Sequence, residues 1–144
     1  MALENAYRKA AAVGEQPSTA VLGVDTIVAL GSRIYGKPAD RDAAGETLRT
    51  LSGRRHAVIS GLCLIEGDRV RTAAARTVVE FRELPDAAIE RYVDSGEWRD
   101  RAGGYAIQGR GALLVRAIEG DYLNVVGLPV AALVDLAPWL IHPR

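Results

Sequence analysis

Apolar positions recur at helical spacing near the start of the chain, where Leu3, Ala6, Tyr7, Ala10 and Val13 share one face and Gly14 stands where such a helix ends. Pro17, Ser18 and Thr19 then break the pattern. Residues 20–30 form a nearly continuous apolar run rich in β-branched side chains, which predicts a central strand covered on both faces. Gly31-Ser32 turns the chain, residues 33–35 allow a brief extension, and Gly36-Lys37-Pro38 reads as a stiff loop. Asp40 is placed to cap a helix over residues 41–51, whose Ala43, Ala44, Thr47, Leu48 and Leu51 share one face, with Gly53 beyond its end.

Two further strands are predicted at about 56–65 and 70–81, paired antiparallel across the hydrophilic turn Glu66-Gly67-Asp68-Arg69. Pro85 and Asp86 open a helix through Asp94 with Ile89, Tyr92 and Val93 as its apolar face. A glycine-rich segment, residues 102–111, precedes a strand at 112–118, and a last helix is expected over about 129–140. Helices and strands interleave without a repeat or a linker. The expected fold is therefore a single α/β domain with a mixed central sheet flanked by helices.

Charge narrows the function classes. Eighteen basic residues balance eighteen acidic ones, so no global field draws in nucleic acid or anionic lipid, and a polyanion must be held by a local pocket. No apolar run approaches the ~20 residues of a membrane helix, and the start of the chain lacks an apolar signal core, so the expected compartment is the cytoplasm. Cys63 is the sole cysteine, inside an apolar stretch, and reads as a small core residue. All the basic residues but two are arginine; the lysines are Lys9 and Lys37.

The candidate chemistry starts with Asp25, which interrupts the most hydrophobic strand. A free carboxylate there is costly unless it meets a cation, a donor or water, and it can hold a divalent cation or take a proton from water; structural pairing with an arginine is the alternative. Lys37, between a glycine and a proline, is a point charge suited to phosphate or a surface lysine in a turn. Gln108 lies in the glycine-rich segment, which is neither a phosphate-binding P-loop nor a dinucleotide fingerprint. Its amide can read the edge of a planar base, or it is an exposed loop residue. His56 and His142 have no metal-ligand spacing and read as structural. Arg54-Arg55 reads as a solvated turn that can touch phosphate. Glu80, Glu97, Asp100, Glu119 and Asp121 remain open as second carboxylates for a metal.

Val24-Asp25-Thr26-Ile27-Val28, Gly36-Lys37-Pro38, Leu51-Ser52-Gly53-Arg54-Arg55-His56, Ala102 through Gly109 and Glu119 through Pro129 together resemble the Maf family in both order and spacing. The resemblance spans nearly the whole chain. It implies an α/β fold and a nucleoside triphosphate pyrophosphatase, dependent on a divalent cation such as Mg²⁺ or Mn²⁺, that cleaves between the α- and β-phosphates. At matched positions it implies Asp25 as proton acceptor, Thr26 and Gln108 as specificity positions, and Lys37 and Lys9 as phosphate-contacting lysines. The Asp-Thr pair with Ile-Gln-Gly is similar to the dTTP/UTP branch, whereas the 7-methyl-GTP branch differs at the positions of Thr26 and Gln108.

A homodimer is expected from the resemblance alone, and neither a nucleic acid polymer nor a membrane is an expected partner. Family members open with a strand and a Ser-x-Ser-x-Arg-Arg phosphate loop, while this sequence begins almost directly at the Lys9 helix. The expectation is a domain lacking that strand and loop, with an uncovered sheet edge and impaired turnover. A non-catalytic remnant that binds a nucleotide or a protein partner, or a pyrophosphatase for modified nucleotides, is the alternative.

Overall fold

A computed structural model describes residues 1–14 and 19–142; the turn expected at Pro17 and Ser18 lies outside them. Its elements in chain order are α1 (Ala2–Ala12), β1 (Ala20–Leu30), β2 (Arg33–Tyr35), α2 (Arg41–Leu51), β3 (Arg55–Glu66), β4 (Arg69–Phe81), α3 (Asp86–Asp94), β5 (Val115–Glu119), α4 (Tyr122–Val126) and α5 (Val130–Leu136). Short 3₁₀ turns occupy Ala102–Gly104, Arg110–Leu114 and Pro138–Leu140. No described helix is long and apolar enough to cross a membrane.

The five strands form one sheet in the order β2-β1-β3-β4-β5, antiparallel in every pairing where a mixed sheet was expected. The reason is local. The tight turn between β3 and β4 folds the chain back on itself, and β1 runs against β3 from Ala20 to Ala29. β3, rather than β1, is the central strand and the most deeply covered. β2 reaches only Val28 to Leu30 of β1, so among the described residues no strand pairs that side of β1 from Ala20 to Ile27.

One face of the sheet carries the main core, where Val28, Val58, Val79 and Phe81 meet Leu48 and Leu51 of α2 and Ile89, Tyr92 and Val93 of α3. Asp40 caps α2 as expected, its side chain accepting the Ala43 N–H at 2.8 Å. The other face receives α1, with Ala6 and Ala10 against Cys63. Cys63 is thus the small core residue expected, and burial pushes its thiol up.

α1 buries Ala2, Ala6 and Ala10, while Leu3, Tyr7 and Val13 of the expected stripe stay exposed. Steric room decides this. A Cβ at Gly23 would stand 2.0 Å from the Ala6 carbonyl oxygen, and one at Gly61 would stand 2.6 Å from the backbone of Ala2. Glycines on the sheet and alanines on the helix let the two backbones approach closely, and larger side chains must point away. Gly23→Ala is therefore expected to lift α1 and lower unfolding stability by about 1–3 kcal/mol, read by urea denaturation; an unchanged midpoint would mean the helix is not seated on this glycine.

Two other elements differ from expectation. Residues 110–114 wind into a 3₁₀ turn, in which the Ala112 N–H returns to the Gly109 carbonyl at 3.1 Å rather than to a neighbouring strand, and β5 begins only at Val115. The final helix splits into α5 and the 3₁₀ turn at Pro138, whose missing N–H and ring end the helix.

Candidate active site

Odd-numbered residues of β1 face α1 and even-numbered ones face the main core, so Asp25 and Thr26 leave the strand on opposite sides. Both still reach one pocket, because it wraps the open edge of β1 beyond the end of β2. On the α1 side, Asn5 and Lys9 lie one helical turn apart and both point at Asp25. Lys9 Nζ donates to Asp25 Oδ1 at 2.8 Å and to the Val24 carbonyl at 3.0 Å, and Asn5 Nδ2 donates to Asp25 Oδ2 at 3.1 Å. Asp25 keeps only 16% of its side chain exposed. On the core side, Thr26 Oγ1 shares a 2.8 Å hydrogen bond with Ser60 Oγ, its cross-strand partner.

Lys37 arrives through the loop after β2. The Gly36 carbonyl accepts the Gly103 N–H at 3.0 Å, tying that loop to the glycine-rich segment. Gly103 has φ +72° and packs so tightly that a Cβ would lie 2.7 Å from a Val28 methyl, so neither its conformation nor its space admits a side chain. Gln108 is exposed, a few residues further along.

The result is one pocket of about 210 Å³ whose lining includes Lys9, Asp25, Thr26, Lys37 and Gln108, all five candidates named from the sequence. Asp100, one of the carboxylates left open for a metal, also lines it, as do Arg101 and Tyr105, which the sequence did not single out. Asp100 has φ +59°, the one positive value outside glycine among the described residues, which an aspartate tolerates better than most side chains and which marks a strained turn at the pocket. Asn5 was missed as well; its only signal is that it precedes Lys9 by four residues.

Of the five carboxylates left open, only Asp100 reaches the pocket. Glu119 pairs with Arg55 at 2.7 Å, Asp121 caps α4 by accepting the Leu123 N–H, Glu97 binds backbone N–H groups of the Gln108 loop, and Glu80 lies on β4. Arg54 and Arg55 lie outside the pocket lining. His56 is buried against Phe81 and Tyr105, its Nε2 sharing a 2.7 Å hydrogen bond with the Tyr105 hydroxyl, and its pKa is lowered to about 4 by desolvation. It is structural, as expected. Among the described residues no three His, Cys, Asp or Glu side chains are grouped to hold a metal. The donor set of Asp25 and Asp100 nonetheless suits Mg²⁺, which is commonly held by one or two carboxylates together with substrate phosphates.

Fold and site define an α/β protein with a cationic pocket, one carboxylate at its strand edge and an amide on a glycine-rich loop. The chain belongs to the Maf family, matching the Maf-like protein description over residues 1–138. It is 51% identical over 120 residues to a dTTP/UTP pyrophosphatase of Pyrococcus furiosus, a match covering 83% of this chain and 63% of that protein. It is 40% identical over 143 residues to the dTTP/UTP pyrophosphatase of Pyrococcus horikoshii, covering 99% and 77%. It is 47% identical over 139 residues to that of Symbiobacterium thermophilum, covering 96% and 72%.

Proposed function

We propose that this pocket hydrolyses dTTP and UTP to the nucleoside monophosphate and pyrophosphate. The observation that carries the reading is convergence: Lys9, Asp25, Thr26, Lys37 and Gln108 come from a helix, a strand and two separate loops and line one pocket. Relatives named dTTP/UTP pyrophosphatase support the choice of nucleotides.

In this reading, Asp25 orients a water and takes its proton as the oxygen attacks phosphorus, with Asn5 and Lys9 fixing the carboxylate. Lys9, more than half exposed, can also turn an N–H toward a phosphate oxygen, and Lys37 adds a second cation. Both offset charge on the departing pyrophosphate. The Gln108 amide carries a donor and an acceptor, matching the O4 and N3–H of uracil and thymine. A divalent cation held by Asp25 and Asp100 with the phosphates would supply Lewis-acid polarisation of the phosphoryl oxygens.

The test is pyrophosphate release from dTTP, UTP, 7-methyl-GTP and GTP with Mg²⁺. Preference for dTTP and UTP is expected. Preference for 7-methyl-GTP would replace the substrate assignment, and nucleotide binding without pyrophosphate release would replace the enzyme by a binding protein.

A further inference from the structure

Burial separates one arginine from the rest. Of the described arginines only Arg71 and Arg101 are half-buried, and the others are exposed to water. Arg71 is satisfied: it pairs with Glu66 at 2.7 Å and lies over the Trp139 ring at 5.2 Å. Arg101 lines the pocket, and its guanidinium makes no hydrogen bond or ion pair with any described residue. Drawing a cation partly out of water is costly unless a partner replaces the lost hydration, so an unpartnered guanidinium in a pocket wall points to an anion that completes it.

The surroundings of Arg101 keep it unpaired. Glu97, a carboxylate within its electrostatic reach, is already occupied: Oε1 accepts the Tyr92 hydroxyl at 2.7 Å and the Gly111 N–H at 2.9 Å, and Oε2 accepts the Arg110 N–H at 3.0 Å. Burial pushes the Glu97 carboxyl up, but the Arg110 N–H, the Tyr92 hydroxyl, the Gly111 N–H and the charge of Arg101 more than offset it, so the group sits below its ordinary range. The backbone of Arg101 is fixed on both sides, its N–H donating to the Trp98 carbonyl at 3.3 Å and its carbonyl accepting the Gly104 N–H at 3.0 Å. Two residues further on, the Gly103 N–H meets the Gly36 carbonyl, which pins this turn to the loop of Lys37.

We propose that Arg101 is a further catalytic residue, which grips the β- and γ-phosphates of the nucleotide and stabilises the departing pyrophosphate. This rests on the pyrophosphatase reading of the pocket. With Gln108 on the base and Asp25 at the phosphate under attack, the cations of the two pinned loops, Lys37 and Arg101, are left for the leaving group. The two differ in kind. Lys37 is a point charge, whereas a guanidinium presents planar paired donors that match two phosphate oxygens at once. Those bonds strengthen as negative charge collects on the pyrophosphate, so they favour the transition state over the bound nucleotide. Lys9 is shared with Asp25, but nothing within the described protein has to release Arg101 before it can bind.

The experiment compares wild type, Arg101→Gln and Arg101→Lys in the presence of Mg²⁺, by kcat/KM for UTP and by calorimetric binding of pyrophosphate and of UMP. Arg101→Gln is expected to lower kcat/KM for UTP about 10²-fold, as for loss of one donor to developing charge. It is expected to weaken pyrophosphate binding about tenfold or more, the loss that follows when a charged donor is removed. UMP, which lacks the phosphates that Arg101 meets, is expected to bind within about threefold of wild type. Arg101→Lys keeps the charge without the paired donors and is expected to fall between the other two. Equal losses of pyrophosphate and UMP binding would mark a merely structural role and overturn the inference. Unchanged pyrophosphate affinity in Arg101→Gln would overturn it as well. Pyrophosphate binding that depends on Arg101, in a wild type that does not turn over UTP or dTTP, would instead overturn the pyrophosphatase reading and leave Arg101 as an anion-binding residue.

Discussion

Asp25→Asn is expected to lower pyrophosphate release from dTTP by about 10²–10⁴-fold, the range for removal of a positioned general base, while leaving a folded protein. The separation of the two effects follows from the surroundings of the carboxylate. Lys9 is more than half exposed and also donates to the Val24 carbonyl, so it remains solvated and partnered when the charge opposite it is removed. An ion pair with one exposed partner contributes about 0–1 kcal/mol to stability. Asn5 retains an oxygen to donate to in the substituted side chain. Single-turnover pyrophosphate release alongside a urea melt checks both halves; wild-type turnover in the folded variant would exclude the base role.

Much of this site was legible in the sequence because its chemistry sits on residues that violate their surroundings. A carboxylate in an apolar strand is an anomaly that burial cost alone marks out, and the two lysines stand out in a chain otherwise supplied with arginine. The elements were also legible where local signals are strong: Asp40, Pro85 and the turn between β3 and β4 delimit α2, α3 and the long hairpin at or near the expected residues.

What was not legible depends on tertiary neighbours. The face of α1 was assigned by the spacing of Leu3, Ala6, Tyr7, Ala10 and Val13, yet the sheet beneath it presents Gly23 and Gly61, and of these only the alanines fit. β1 was taken as central from its hydrophobicity, but strand order is a property of pairing, and Val24 and Val28 of β1 line the pocket. Asn5 and Glu97 act through the groups they hold, Asp25 and the Gln108 loop, and such roles leave no mark in composition or spacing.

His56 supplies the second large effect, and its sign follows from burial. The ring is enclosed by the edges of Phe81 and Tyr105 at 4.9 and 5.5 Å, its single hydrogen bond goes to a phenol, and its Nδ1 has no partner. Desolvation lowers its pKa from 6.5 to about 4, so the folded protein holds it neutral where the unfolded chain would already be protonated. Between those two values the unfolded state binds more protons, and stability must fall as pH falls. The stabilisation is complete above the unfolded value and is spent on reaching the folded one. A shift of this size corresponds to about 3 kcal/mol lost between pH 7 and pH 4. His56→Gln keeps a neutral partner for the Tyr105 hydroxyl but cannot titrate, so its urea midpoint is expected to depend less steeply on pH over this window than that of wild type. Parallel slopes for the two proteins, or an NMR titration of His56 near its ordinary value in the folded state, would show that the ring is already charged within the fold. Because Tyr105 both lines the pocket and shares its hydroxyl hydrogen bond with this ring, activity is expected to decline with stability as the pH approaches 4.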